Sequence, residues 1–205
     1  MNGQATTEKG QLILAAARRR FAHYGFSKVT MDEIAGDVGL AKPSLYYYYP
    51  TKESLFRAVI VDEQGRFFGD IQALLTRDCT AAEMLRGYVS VRLTLFRELM
   101  NLNALNFKSW AEIRSISGDL FSSFQEKELA ALEGILSRGH SAREFSCPDT
   151  HQTATLLLHL LHGLRLRIFQ GESGGPVAED AYVELRRESE LLVDLVVHAF
   201  RNRQT

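Results

Sequence analysis

Val29-Thr30-Met31-Asp32-Glu33-Ile34-Ala35-Gly36-Asp37-Val38-Gly39-Leu40-Ala41-Lys42-Pro43-Ser44-Leu45-Tyr46-Tyr47-Tyr48-Tyr49-Pro50-Thr51-Lys52 reads as two short helices around a tight turn. Met31, Ile34, Ala35 and Val38 recur at i, i+3, i+4 and i+7, the spacing of one buried helix face. Thr30 and Glu33 stand three apart, the pattern in which a threonine hydroxyl and a glutamate carboxylate cap a helix start reciprocally. Gly39 supplies the turn, and Leu40 is expected to drop into the core. A second helix is expected over about Lys42 to Tyr48. Pro50 ends it, because the residue before a proline is driven out of helical backbone. Thr51 is placed to cap the helix that follows. Two helices joined by a turn of three or four residues make a helix-turn-helix.

Upstream, a helix is expected from about Thr7 to Tyr24, with Leu12, Ile13, Ala16, Ala17 and Phe21 facing inward. Gly25 stands where a left-handed C-terminal cap belongs. Downstream, a long helix should run from about Lys52 to Thr76, weakened in its middle by Gly65 and Gly69. Further helical patterns lie near 80–103, 104–112, 115–138, 151–171 and 178–203, the last two separated by the glycine-rich link Gly171 to Pro176. Prolines occur only at Pro43, Pro50, Pro148 and Pro176, and strand-like alternation is scarce. The expected fold is all-α: a three-helix head over 8–54, with the helix-turn-helix at about 30–49, and a helical body over 55–205, about nine helices in all.

With 45% hydrophobic and 24% charged residues in 205, the chain has enough apolar material for a core. The net charge of -1 hides an asymmetry. Residues 1–55 carry seven Lys or Arg against five acids, and the remainder carries 17 against 20. A mildly basic head on a mildly acidic body fits a head that meets an anionic partner. Cys79 and Cys147 lie far apart with no ligand-like spacing, which favours a reducing compartment. The start of the chain has no apolar signal core, and the apolar run 153–169 is interrupted by His159, His162, Arg165 and Arg167. The expected location is cytoplasmic, with no membrane partner.

On a helical wheel, Leu45 and Tyr49 share one direction and should hold the second helix to the head. Pro43 and Tyr47 point the opposite way. A tyrosine cluster on so short a helix exposes apolar surface. Against double-stranded DNA each ring suits a thymine methyl or sugar, and each hydroxyl suits a phosphate. Lys42 and Lys52 stand at helix N-termini, where the helix dipole disfavours a cation. A docked phosphate would reverse that sign. This predicts that Lys42→Ala and Lys52→Ala weaken DNA binding and leave stability equal or slightly higher.

The stretches Ile13 to Phe21, Gly25-Phe26, Val29 to Ala35, Val38-Gly39, Leu45 to Pro50 and Lys52 to Leu55 together resemble the N-terminal domain of the TetR family of transcriptional regulators. The resemblance spans about Gln11 to Ile60. It implies a dimer with a DNA-reading head on each subunit and an effector-binding body. It matches Thr30, Lys42, Pro43, Ser44, Tyr46, Tyr47, Tyr48 and Lys52 to DNA-contacting positions. Of these, Lys42, Pro43 and Tyr47 would face bases, and Tyr46 and Lys52 would hold phosphate. Two departures stand out. Ala41 replaces a common Ser or Thr cap, and Tyr49 replaces a usual Phe, so its hydroxyl must find an edge or a partner.

By the same resemblance, the helices near 151–171 and 178–203 form the homodimer interface. The first is apolar nearly all round and must be covered on more than one side. An effector pocket is expected among the body helices between about residues 52 and 171, with Phe96, Met100, Phe107 and Trp110 as apolar walls and Asn103, Asn106, His159 and His162 as polar anchors. The two histidines are expected to be buried and hydrogen-bonded, with no third ligand in register for a metal. The expected function is a repressor released from a palindromic operator by a small lipophilic or aromatic ligand. The alternative is a structural or cell-division regulator of the same fold with no ligand. No nucleophile–base pair, phosphate-cradling loop or acid pair points to an enzyme, and no cofactor is expected.

Overall fold

The computed structural model describes residues 8–98, 107–169 and 179–201, with side chains described for 8–95, 115–166 and 179–201. The described helices are α1 (Glu8–Tyr24), α2 (Met31–Asp37), α3 (Lys42–Tyr48), α4 (Lys52–Leu75), α5 (Ala81–Glu98), α6 (Phe107–Ser141), α7 (Thr150–Phe169) and α8 (Glu179–Phe200). The all-α expectation holds.

Two compact units emerge, one from Met1–Gly65 and Leu99–Phe121, the other from Arg66–Glu98 and Ser122–Thr205. The first unit therefore runs past residue 54 into α4 and takes in the start of α6. Its core is built on aromatic rings. Phe21 from α1 meets Phe56 from α4 edge-on at 5.2 Å, and Phe26 from the connecting turn stacks on Phe21 at 5.8 Å. Ile13, Ala16, Ala17, Ile34, Leu45 and Leu55 are fully buried around them. Leu12 departs from expectation. It is 57% exposed, and Leu14 is buried in its place on the inward face.

Glycine is required at two turns. Gly25 (φ +80°) ends α1 and donates its N–H to the Phe21 carbonyl at 2.9 Å. Gly39 (φ +65°) makes the turn between α2 and α3. Both sit in the left-handed region where a Cβ is strained. Gly65 and Gly69 do not interrupt α4, which is continuous through both. Each costs helix propensity of about 1 kcal/mol, which packing on the buried Val59, Ile60, Phe67 and Ile71 offsets.

The segments expected near 104–112 and 115–138 are two helical stretches that meet at a kink at Ser117 and are taken together as α6. Ser117 in α6 has φ -139° and ψ 18°, outside helical values. The carbonyls around the break are taken by α4. Arg57 donates to the Ile116 carbonyl at 2.6 Å and, through both terminal nitrogens, to Asp119 at 2.7 Å. Gln64 donates to the Leu120 carbonyl at 3.2 Å. Asp119 is held down to about 2, first by Arg57 and further by the backbone amides of Leu120 and Asp119 itself.

In the second unit, α5 and α7 both pack on α8. The core there includes Met84, Leu85, Tyr88, Leu132, Leu136, Leu157 and Leu161.

Candidate nucleic-acid interface

Helix α2 starts as its sequence dictates. The Glu33 amide donates to the Thr30 hydroxyl at 3.3 Å, and the Thr30 amide donates to the Glu33 carboxylate at 2.8 Å. The Thr30 amide, and the Thr30 hydroxyl that also donates to the carboxylate at 2.8 Å, hold the Glu33 carboxyl below its usual range. Arg20 on α1 fixes the other end of α2 through two bonds to Asp37, at 2.5 and 2.8 Å. Leu40 is half-buried rather than part of the core, and helps form an open surface.

Helix α3 has no side-chain cap at Ala41, in line with the sequence, and carries Pro43 in its first turn. Leu45 is fully buried and Tyr49 is 7% exposed, so this face anchors α3. The opposite face is open: Tyr47 is 72% exposed and Tyr46 39%. Lys42, Pro43 and Ser44 are exposed and Tyr48 is half-buried. Tyr47 and Tyr48 touch edge to face at 5.7 Å. Lys9, Leu40, Pro43, Ser44, Tyr47 and Tyr48 line an open depression of about 400 Å³. Lys9 was missed at the sequence level. It lies 33 positions before Lys42, and only the tertiary fold brings it to the same depression.

The two helix-start lysines behave differently from the sign argument. Lys42 is paired with Asp32 at 2.8 Å, with both side chains more than half exposed. Such exposed pairs hold weakly, so the ammonium remains open to a stronger anion. Lys52 is turned inward. Its Nζ donates to the carbonyls of Phe26 at 3.0 Å and Val29 at 3.1 Å, and lies 4.4 Å from the centre of the Phe26 ring. It ties the turn between α1 and α2 to the start of α4. The expectation that Lys52→Ala leaves stability unchanged is therefore corrected. Lys52→Met should lower stability by about 1–2 kcal/mol, since two charge-assisted bonds are lost. Chemical denaturation reads this directly. An unchanged midpoint would show that the carbonyl contacts contribute nothing.

The Tyr49 hydroxyl did not reach an edge. It is buried with no hydrogen-bond partner among the described residues. Burial, with Asp62 next, pushes the phenol pKa up. An unpaired buried hydroxyl costs roughly 1–3 kcal/mol. Tyr49→Phe should raise stability by about 1 kcal/mol, seen as a higher melting temperature. A lower melting temperature would mean that the hydroxyl is bonded.

The residues expected around an effector are only partly brought together. Met100, Asn103 and Asn106 lie outside the described residues. So do the side chains of Phe96, Phe107 and Trp110, although their backbones are helical. His159 is exposed, against the expectation of burial, because it falls on the same stripe of α7 as Leu156 and Leu160. His162 is largely buried, and its Nε2 faces the Glu128 carboxylate at 3.5 Å. Glu128 was not foreseen. It is fully buried and accepts from Tyr88 at 2.8 Å and from Arg92.

Residues 13–59 match the family model described as bacterial regulatory proteins, tetR family. The chain is 36% identical to a transcriptional regulator from Cytophaga hutchinsonii of known structure, covering 95% of this chain and 100% of that one with a TM-score of 0.84. It is 27% identical over 144 residues to the HTH-type transcriptional regulator RutR of Escherichia coli O157:H7, 68% of this chain and 67% of that protein. It is also 27% identical to the flavonoid-responsive regulator FrrA, covering 95% of this chain and 98% of that one with a TM-score of 0.58. With its helix-turn-helix in the matched segment, the chain belongs to the tetR family of DNA-binding transcriptional regulators.

Proposed function

We propose that the protein is a dimeric repressor that leaves a palindromic operator when a small molecule binds its body. The observation that carries this reading is the exposed face of α3, with Tyr47 72% exposed beside Pro43, Ser44 and Lys42 while Leu45 is sealed beneath. Lys42, Pro43 and Tyr47 face base edges. Tyr46, Tyr48, Ser44 and Thr30 support the backbone contacts, and Lys9 adds a cation on the same surface. Lys52 contributes chiefly by holding the turn before α2. The head thus spans 8–54 as a reading unit, and 55–205 carries effector and partner functions.

Exposed apolar side chains on α7 and α8 support the dimer. Leu156, Leu160 and Leu166 on α7 are 58%, 44% and 48% exposed. Leu191 and Leu195 on α8 are 58% and 59% exposed. These are the helices expected to pair, and they would set two reading heads about 34–36 Å apart, one turn of DNA. A released state needs a ligand that binds the two body conformations unequally. The similarity to a flavonoid-responsive regulator favours a lipophilic or aromatic ligand. No described helix is long and apolar enough to cross a membrane, which fits work on DNA in the cytoplasm.

Gel-shift titration on the upstream DNA of its own gene tests the proposal. Specific binding should exceed binding to random DNA by at least a hundredfold at moderate salt. Equal binding to both would overturn it. The salt dependence carries a finer expectation. Of seven cations in residues 1–55, Arg18 pairs with Asp62, Arg20 with Asp37, and Lys52 with backbone carbonyls. Lys9, Arg19, Lys28 and the exposed Lys42 remain for phosphate. At about 0.9 per neutralised phosphate, the log–log salt slope of a dimer should lie near -7 rather than -13. A slope steeper than about -10 would show that the internal pairs open on DNA.

A further inference from the structure

We propose that the outward face of α1 is a self-complementary docking surface for a second copy of this chain, through which neighbouring dimers hold each other head to head on DNA. It rests on the DNA-bound dimer proposed above and adds a contact between dimers.

Leu12 is 57% exposed on α1, while Ile13, Leu14, Ala16 and Ala17 around it are sealed. An exposed leucine standing alone is ordinary, but Leu12 belongs to a pattern. Glu8, Leu12, Ala15 and Arg19 recur at i, i+4, i+7 and i+11. Eleven residues make three helical turns with about 20° of drift, so the four form one straight stripe. Glu8, Leu12 and Arg19 are exposed and Ala15 is half-buried. The stripe has an acid at one end, a base at the other and an apolar centre, where the small Ala15 lets a second helix come close. The ion pairs nearby belong to other residues: Arg18 with Asp62, and Arg20 with Asp37. Among the described residues Glu8 and Arg19 enter no ion pair. Asp37 feels Arg19 through charge alone, after Arg20, which bonds it directly.

Charge decides the orientation. Two parallel copies would set Glu8 on Glu8 and Arg19 on Arg19. Antiparallel about a two-fold axis, Glu8 meets Arg19 and Leu12 meets Ala15, each pairing occurring twice, as an isologous contact requires. The surface is its own complement, which selects another copy of this chain over a different protein. Exposed ion pairs hold weakly, and four side chains per copy fall far short of the roughly 1,200–2,000 Å² of a stable interface. The contact is therefore weak in dilute solution. Two dimers on adjacent DNA sites meet at an effective concentration on the order of millimolar, where a weak contact counts.

The test uses the full-length protein on DNA carrying one or two copies of its selected site, with the gap stepped through one turn of about 10 base pairs. At a favoured gap the second dimer should bind about tenfold more tightly than a dimer on a lone site. Leu12→Glu should remove that factor and keep both lone-site affinity and melting temperature. Glu8→Arg and Arg19→Glu should each remove it, read as the ratio of two-site to one-site binding. The double variant should restore it, because the exchanged charges are again complementary, a rescue that a merely structural role does not give. No cooperativity at any gap, cooperativity that survives Leu12→Glu, or a double variant no better than the singles would overturn the assignment. A DNA-free arm separates it from the repressor reading. At near-millimolar protein, sedimentation equilibrium should show the wild type associating beyond its resting assembly and Leu12→Glu not doing so. Equal behaviour of the two would overturn the contact even where DNA is bound selectively. Loss of site selection with that association intact would remove the repressor reading alone.

Discussion

Tyr47→Ala should lower operator affinity by about 30-fold or more without lowering the melting temperature. The ring is 72% exposed and its one described ring contact is the edge of Tyr48, so truncation leaves no cavity. On the proposed reading the same ring is a base-facing contact in both subunits. At about 1–3 kcal/mol for a good base contact, two copies lose about 2–6 kcal/mol. At 1.4 kcal/mol per factor of ten, 30-fold is the low end. The loss should fall on specific DNA far more than on random DNA, because a tyrosine removes no phosphate-neutralising charge. Parallel titrations on both DNAs check this. Equal loss on both would make Tyr47 a backbone contact, and no loss would move the reading face off α3.

Leu160→Glu should split the proposed dimer and, with it, weaken operator binding by at least a hundredfold. The side chain lies on the exposed stripe of α7 with Leu156, His159 and Gly163. In a monomer a glutamate there is solvated. At a two-fold interface the stripe faces itself, so two carboxylates are buried together. An unpaired buried charge costs about 3–5 kcal/mol, enough to dissociate a micromolar dimer. One head alone then carries half the contacts. Sedimentation velocity reads the assembly, and circular dichroism reads whether the helices survive. A Leu160→Glu protein that remains dimeric would place the interface elsewhere.

Much of the head was legible because local rules and tertiary packing agree there. The capping box at Thr30, the turn at Gly39, the Pro50 stop and the division of α3 into a Leu45 side and a Tyr47 side all follow from spacing within seven residues. The failures came from long-range partners. Nothing near Lys52 in sequence announces the Phe26 and Val29 carbonyls that take its ammonium. Nor does spacing bring Lys9 to Tyr47. In the body, periodicity found α7 and α8 but could not say which side of a nearly all-apolar helix faces inward. His159 and His162, three apart, parted company for that reason. The charges within the apolar α7 were the visible signal of the buried cluster. Their partners Arg92 and Glu128 sit on other helices, and no local pattern links them.

The break at Ser117 has a mechanical consequence. In a straight helix the Ile116 carbonyl would accept from the Leu120 amide. Here that carbonyl accepts from Arg57, and the Leu120 amide turns to the Asp119 carboxylate. Straightening α6 at this point would cost Arg57 three bonds at once, and withdrawing Arg57 would leave the bend without its support. The angle of α6 at Ser117 and the seating of α4 at Arg57 are a single coordinate, and a push on one is a push on the other.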